Sequence, residues 1–158
     1  MSKSFLNVLI ILSLASLVPS FAAQEEILGP LTREALFENY PGWQAVAAAY
    51  QPKSDIIDRL RSLGREVRIE IYLGTWCSDS KAHVSEFFKV LEIADTPLIQ
   101  ATCVGIPEAK DKRAPYYAGR DIERLPTFIV FIDGREMGRI VETPERSVEE
   151  DLVRILGL

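Results

Sequence analysis

The sequence predicts an α/β domain in which a mixed central β-sheet of about four strands is flanked by helices, preceded by a helical extension. Two observations lead to this prediction. Between residues 65 and 105, a β-branched run, an amphipathic run and a second β-branched run follow one another, which is the pattern of a strand–helix–strand unit. Further on, a continuous apolar run over residues 127–132 precedes Asp133-Gly134, a strong hairpin signal.

The first 23 residues have the pattern of a secretory signal peptide. Lys3 precedes an apolar run over residues 5–18, and small residues follow as far as Ala23. A positive start, an apolar middle and a small-residue cleavage zone define such a peptide. We expect cleavage after Ala22 or Ala23, and therefore a periplasmic or secreted protein without stable membrane association. An uncleaved anchor is the alternative, although the apolar run is shorter than the ~20 residues that a spanning helix prefers.

Length and composition narrow the class of protein. The chain has 158 residues, so the part after residues 1–23 is long enough for one domain, with a helical extension over 24–64 and the main domain over 65–158. A net charge of −5 without a basic stripe argues against nucleic acid as a partner. In an oxidising compartment the two cysteines, Cys77 and Cys103, either pair or react separately with redox partners.

The residue pattern of the extension over residues 24–64 predicts a series of helices with interruptions between them. Thr32 is suited to cap the first helix, because its hydroxyl can accept from an N–H that the helix leaves unpaired. Pro41-Gly42 interrupts the helical pattern, and Ser54 is suited to cap a further amphipathic helix. The extension over residues 24–64 is therefore expected to be helical, with interruptions.

The main domain begins with a predicted strand over Val67–Leu73, which is rich in β-branched and aromatic residues. A helix over residues 78–93 follows, with one apolar stripe at three- and four-residue spacing. A second strand over residues 97–105 carries Cys103. Because the connection between these strands contains a helix, we expect the two strands to be parallel neighbours.

The rest of the domain joins a polar connection to a hairpin and a last helix. Residues 106–125 are polar and mixed. The charge run over 110–113 predicts a solvated loop or the start of a helix, and residues 113–124 predict a short helix. The apolar run that follows predicts a buried strand. The Asp133-Gly134 turn is expected to lead from it into a second strand that pairs with the first as a hairpin. Ser147, three residues before Glu150, predicts a capping box at the start of the last helix.

Cys77 lies where the first strand passes into the helix, within Gly74-Thr75-Trp76-Cys77-Ser78-Asp79-Ser80. The first turn of a helix has unpaired N–H groups and the positive end of the helix dipole, and both favour an anion. For a cysteine that anion is the thiolate, the nucleophilic form. Cys77 is therefore predicted to be a reactive thiol.

From about residue 66 onward, the chain resembles the thioredoxin family. Its Trp76-Cys77-x-x-Ser80 segment, between a strand and a helix, is similar to the family's Trp-Cys-x-x-Cys motif, and the Trp-Cys-x-Asp-Ser form is similar to a bacterial thioredoxin-like subgroup. The resemblance implies the thioredoxin fold and an activity like that of a thiol–disulfide oxidoreductase. The extension before residue 66 matches the family less well.

The segment Leu125-Pro126-Thr127 resembles the cis-proline loop of the same family. The family's sheet order implies that this loop lies beside Cys77, where residue 125 could offer its backbone N–H and C=O to an extended peptide. The resemblance thus implies that Trp76, Leu125, Pro126 and Thr127 contact the substrate.

Ser80 occupies the place of the family's second motif cysteine, so the motif cannot resolve a mixed disulfide by itself. What the motif allows is chemistry with one thiol: mixed-disulfide formation, isomerisation or reduction through Cys77, with protein or small-molecule thiols and disulfides as partners. The Ser80 hydroxyl could donate to the thiolate and stabilise it, whereas the charge of Asp79 would disfavour it. Asp79 and His83, four residues apart on one helix face, could pair.

Two alternatives remain open. The chain could be a thioredoxin-fold module that binds a peptide or protein without catalysis, or Cys103 could resolve the mixed disulfide at Cys77. Against the second stands the usual fate of a lone cysteine, a small buried hydrophobe. Two cysteines and one histidine do not make a convincing metal site, and no cofactor is expected. We expect a monomer.

Overall fold

The computed structural model describes residues 25–117 and 119–158, so the predicted signal peptide lies outside the described residues. Five strands form one mixed sheet in the order β1-β3-β2-β4-β5, and helices flank it. The elements are β1 (Gly29–Leu31), α1 (Arg33–Asn39), α2 (Pro41–Ala49), α3 (Ser54–Arg61), β2 (Val67–Leu73), α4 (Ser78–Ala94), β3 (Ile99–Gly105), β4 (Thr127–Ile132), β5 (Arg135–Val141) and α5 (Val148–Leu156).

The sheet has the topology of the thioredoxin fold, which confirms the predicted fold class. Strands β2 and β3 are parallel and joined through α4, with Leu73 beside Gly105 in the register. Strand β4 lies antiparallel on the other side of β2, with Thr127 beside Tyr72, and the β4–β5 hairpin then leads into α5. The start of β4 therefore lies at the edge of the sheet where β2 ends.

The sheet has a fifth strand where the residue pattern predicted only helix. Strand β1 pairs antiparallel with β3, and Leu31 lies beside Cys103. Three residues are too few to display a periodicity of two, and Gly29 has a positive φ of 77°. A side chain at Gly105 would meet the carbonyl oxygen of Ile27 at 1.9 Å, so a glycine there permits the close approach of the N-terminal segment.

The helices share one face of the sheet. One apolar cluster joins a buried residue from each helix to alternate residues of the strands; the helical members include Leu36, Trp43, Leu60, Phe87 and Leu152. The extension therefore contributes to the same core as the main domain. Its first cap is confirmed, since Thr32 accepts from the N–H of Ala35, but Ser54 is the first residue of α3 and Lys53 is the cap.

The second face of the sheet is covered by residues 106–125. Ile106, Ile122 and Leu125 pack there against residues of β2 and β4. The short helix predicted over 113–124 is absent from the described part of this segment, which instead has two 3₁₀ turns, at Lys110–Lys112 and Ala114–Tyr116. The segment ends two residues before the start of β4 at Thr127, so its packing on the sheet decides where the proline loop lies.

The hairpin and the last helix are as predicted. Asp133 and Gly134 have φ values of 51° and 75°, as a two-residue hairpin turn between β4 and β5 requires. The Ser147 side chain accepts from the N–H of Glu150, which caps α5. Within the described residues, no helix is long and apolar enough to cross a membrane.

Candidate functional site

Cys77 is the N-cap residue of α4, immediately after the turn that follows β2. Its N–H donates to the carbonyl of Gly74 at 3.0 Å, and its carbonyl accepts from the N–H of Lys81 at 3.0 Å. The side chain is half-buried, and no disulfide involves it. The thiol therefore lies at the N-terminus of a 17-residue helix, where the dipole and the unpaired N–H groups favour an anion.

The proline loop lies against this thiol. The Cys77 Sγ donates to the carbonyl oxygen of Leu125, with 3.7 Å between sulfur and oxygen. The Leu125–Pro126 peptide bond is cis, and both residues are buried. Thr127 is also buried, and its hydroxyl donates to the carbonyl of Arg124 at 2.7 Å. The backbone of Leu125 is therefore the part of the loop closest to the reactive atom, and the Thr127 hydroxyl has a structural bond.

Trp76 lies beside the thiol in a fixed orientation. Its indole N–H donates to the carbonyl of Ile106 at 2.9 Å, and 37% of the residue is exposed. A Cβ at Gly74 would lie 2.6 Å from the ring, so the ring occupies space that any other residue at position 74 would need. Trp76 thus presents a partly exposed aromatic surface that its neighbours hold in place.

Arg113 completes the surroundings of Trp76. Its guanidinium lies 5.0 Å from the centre of the indole ring, a distance typical of a cation–π contact. The same guanidinium donates to the carbonyls of Pro107 and Glu108, at 2.9 and 2.8 Å. The residue pattern assigned Arg113 to a solvated charge run, and no local signal in the sequence identifies its contact with a tryptophan 37 positions earlier.

Ser80 is fully buried, and its hydroxyl accepts from the N–H of Gly74 at 3.1 Å. The Cys77 thiolate was the predicted partner of this hydroxyl. The hydrogen bond in the structure is the one from Gly74, and it joins the first turn of α4 to the end of β2. Ser80 therefore stabilises the turn that carries Trp76 and Cys77.

The other polar residues of α4 have different partners from those expected. His83 Nδ1 lies 2.9 Å from the Glu86 carboxylate, so its partner is Glu86 and the predicted pairing with Asp79 is wrong. Asp79 is half-buried in the first turn of α4. The Lys81 side chain extends over α2, where a Cβ at Gly42 would lie 3.0 Å from Nζ.

Cys103 is remote from this arrangement. It is only 5% exposed, lies in the main core, and is paired in register with Ile71, two residues before the end of β2. Both cysteines are free, and Cys103 lies two strand residues, about 6–7 Å, back from the end of β2, after which the motif begins. Burial raises the pKa of the Cys103 thiol to about 12, which keeps it protonated.

One cavity adjoins the motif, and a larger one lies away from it. A cavity of about 280 Å³ lies between the N-terminal segment, α2 and the motif, and its lining includes Glu26, Trp43, Trp76 and Lys81. A larger groove of about 760 Å³ lies farther along β3, beside Cys103, and does not include the motif. Within residues 25–117 and 119–158, no group of three or more histidine, cysteine or acidic residues could hold a metal ion.

Comparisons with known proteins support the fold and leave the activity open. No family model and no curated protein matches the sequence. A protein of unknown function from Pseudomonas aeruginosa is similar in structure, with a TM-score of 0.56 and 16% identity over 80% of this chain and 98% of the other.

Two thioredoxins are more distant. Thioredoxin-2 of the malaria parasite has a TM-score of 0.46 and 18% identity, with 61% of this chain and 85% of that chain covered. A Schistosoma mansoni thioredoxin has a TM-score of 0.42 and 20% identity, with 68% and 93% covered. At this identity the similarity to solved structures concerns the fold alone.

Proposed function

We propose that this chain is an exported thioredoxin-like protein of the Trp-Cys-x-Asp-Ser type that exchanges thiols and disulfides through one thiol, that of Cys77. The observation that carries the proposal is the position of this thiol. It is half-exposed at the N-terminus of α4 and lies 3.7 Å from the Leu125 carbonyl. A reactive sulfur needs access and a setting that favours the thiolate. The exposure of Cys77 supplies the first and the N-terminus of α4 the second, whereas the Leu125 carbonyl, as an acceptor from the S–H, favours the neutral thiol.

The reaction is an exchange in which sulfur atoms change partners. The Cys77 thiolate attacks one sulfur of a substrate disulfide, a bond forms between that sulfur and Sγ, and the other substrate sulfur leaves as a thiolate. The backbone of Leu125 and the exposed part of Trp76 are the groups that would contact the substrate next to the attacked bond. Protein disulfides and small-molecule disulfides are both possible substrates.

Cys103 has no part in this proposal. Its thiol is buried on the helical face of the sheet and is kept protonated, whereas resolution of a mixed disulfide requires an accessible thiolate. The thiol that releases the substrate must therefore come from outside the chain.

The test is alkylation of the folded protein by iodoacetamide at pH ~7, followed by mass spectrometry. We expect Cys77 to be alkylated faster than the cysteine of an unstructured peptide, because it is accessible and lies at the N-terminus of α4. Cys103 is the internal control, because it should be alkylated only after unfolding in urea. A rate at Cys77 no faster than that of the peptide would count against an activated nucleophile.

One observation favours a second candidate, a binding module without catalysis. Ser80 is fully buried and has a structural hydrogen bond, as expected if the second motif position no longer serves redox chemistry. Capture of disulfide-linked partners by the wild type, and its loss in Cys77→Ala, supports the exchange reaction. Partner binding that Cys77→Ala leaves unchanged supports the binding module.

A further inference from the structure

The cavity beside the motif contains two opposite charges that are not paired with each other. Glu26 and Lys81 both line it. The Glu26 carboxylate accepts from the N–H of Glu108 at 3.0 Å, and among the described residues no carboxylate lies within 4.0 Å of the Lys81 ammonium. Two side chains of opposite charge therefore line one cavity without forming an ion pair with each other.

The charges and the volume of the cavity define the kind of ligand that fits. A simple anion would be attracted by Lys81 but repelled by Glu26, and a simple cation would experience the reverse. A molecule with both an ammonium and a carboxylate group satisfies both residues. A volume of about 280 Å³ lies below the ~300–1,000 Å³ of pockets for drug-sized ligands and is suited to a single amino acid.

The position of the cavity connects it to the reactive thiol. Thr75 and Trp76, which directly precede Cys77 in the chain, form part of its wall. Lys81 follows Cys77 by one turn of α4, and its N–H donates to the carbonyl of Cys77. The cavity therefore adjoins the motif: its wall includes the two residues that precede Cys77 and the residue one helical turn after it.

We propose that this cavity binds a low-molecular-weight thiol with an amino-acid head group, and that the bound thiol resolves mixed disulfides at Cys77. The inference rests on the proposed function. It supplies the group that the chain lacks, since Ser80 has no thiol and Cys103 is buried.

Resolution of the mixed disulfide takes two molecules of the small thiol. The thiolate of the bound molecule attacks Sγ of Cys77 in the mixed disulfide, the bond between Sγ and the substrate breaks, and the substrate leaves as a thiolate. A second molecule of the small thiol then attacks the sulfur of the first, which yields the small-molecule disulfide and the Cys77 thiolate. Two small thiols are oxidised, and one substrate disulfide is reduced.

The test uses the purified protein in which 4,4′-dithiodipyridine has converted Cys77 to its thiopyridine mixed disulfide, a neutral adduct. When a thiol attacks Sγ of this adduct, the thiopyridine group is released, and its release is followed by absorbance. Four thiols are compared: L-cysteine has both charges, cysteamine only the ammonium, 3-mercaptopropionate only the carboxylate, and 2-mercaptoethanol neither. For each thiol the rate in a variant is divided by the rate in the wild type, so that the intrinsic reactivity of the thiol cancels.

Relative to 2-mercaptoethanol, Lys81→Met should slow release by L-cysteine and 3-mercaptopropionate about 5- to 10-fold, the size expected from one charge-assisted hydrogen bond. Glu26→Gln should slow L-cysteine and cysteamine by a similar factor. Lys81→Arg, which keeps the charge, should stay within about twofold of the wild type. Circular dichroism checks that each variant is folded.

Two outcomes separate this inference from the proposed function. Suppose that the adduct forms at Cys77 but each variant changes the rates of all four thiols by the same factor. The cavity then does not discriminate between thiols by their charge, and this inference is wrong. If no adduct forms at Cys77 in the folded protein, the thiol is unreactive, and both the inference and the proposed function are wrong.

Discussion

At the scale of single residues, the surroundings of Cys77 depend on how tightly Trp76 and its turn are held. The indole has a hydrogen bond to the Ile106 carbonyl on one side and the Arg113 guanidinium over its face. Gly74 lies beneath the ring and donates its N–H to Ser80. These contacts place a rigid aromatic surface beside the thiol, which is what binding of a substrate next to the sulfur requires.

Gly74→Ala should release Trp76 from this position. The new Cβ would lie 2.6 Å from Cε2 and 2.8 Å from Nε1 of the ring, closer than atoms can approach, so the ring must move and lose its bond to Ile106. We expect a red shift of tryptophan fluorescence and a loss of about 1–3 kcal/mol in the free energy of unfolding, as for other overpacked sites.

Gly64→Ala is the matched control for this change, because nothing lies within 4 Å of a Cβ at Gly64. It should leave both the fluorescence and the stability near the wild-type values. Wild-type fluorescence in Gly74→Ala would mean that Trp76 is not held as described.

The sequence predicted part of this site and missed the rest for a physical reason. The helix start at Cys77 follows from local pattern, and the meeting of Cys77 with Leu125 follows from the strand order that the family resemblance implies. The contact of Arg113 with Trp76 depends on the position of the segment over residues 106–125, and the hydrogen bond of Ser80 depends on the conformation of the turn after β2. Both are determined by tertiary packing after the strands have paired. No residue type or spacing encodes those contacts.

At the scale of elements, the segment over residues 106–125 is anchored on the sheet by an ion pair. Glu70 of β2 accepts two hydrogen bonds from Arg120, at 2.8 and 2.9 Å, and another from Arg68. Both guanidiniums lie over the ring of Phe131, at 4.2 and 4.9 Å. Since this segment leads directly into the proline loop, the ion pair helps to hold Leu125 beside the thiol.

The stability that Glu70 contributes should depend on pH. The hydrogen bond from Arg120 lowers the pKa of the Glu70 carboxyl below its ordinary value of 4.5, against the opposing effect of burial, and Arg68 lowers it further. A carboxyl with a lowered pKa stabilises the fold fully above its unfolded value, and the effect is lost as the pH falls through the folded value. Glu70→Gln should therefore cost about 1–3 kcal/mol at pH 7.

The difference in urea midpoint between the wild type and Glu70→Gln should shrink as the pH falls below about 4.5, because acid removes the same charge that the substitution removes. Glu66→Gln, at an exposed position of the same region, is the control and should differ little from the wild type. A midpoint difference that stays constant between pH 7 and pH 3 would show that the Glu70 charge does not stabilise the fold.

Elements with a long periodic pattern were predicted well, and short ones were not. Helix α4 has a stripe of apolar residues over about three turns, and the β4–β5 hairpin has a turn dipeptide, so both follow from local sequence. Strand β1 has three residues and begins with Gly29-Pro30, a pair that strand propensities disfavour. It forms because β3 offers an unpaired edge, which no local pattern reveals.

At the scale of the whole molecule, the helical extension is bound to the main domain by polar contacts as well as by the shared core. The Tyr50 hydroxyl donates to the buried Glu149 carboxylate at 2.7 Å, and Glu149 also accepts from the N–H of Lys53. Arg61 donates to the Ile93 carbonyl at 2.8 Å. Loss of the extension would therefore expose the apolar face of the core and leave a buried carboxylate without its partners.

This arrangement predicts that residues 25–158 unfold as one cooperative unit. The two tryptophans of the chain report on its two parts, since Trp43 lies in α2 of the extension and Trp76 in the motif of the main domain. In Trp76→Phe only Trp43 remains, and in Trp43→Phe only Trp76 remains. Within each variant, the urea midpoint from fluorescence should equal the midpoint from far-ultraviolet circular dichroism, as two-state unfolding requires.

Each variant is compared only with itself, so the loss of stability that substitution of the buried Trp43 causes does not affect the comparison. If the Trp43 signal changes at a lower urea concentration than the circular dichroism of the same variant, the extension unfolds first and is a separate unit. Coincident transitions in both variants would mean that a mutation in the extension weakens the motif as well, because the helices of residues 33–61 and the strand that leads to Cys77 share one core.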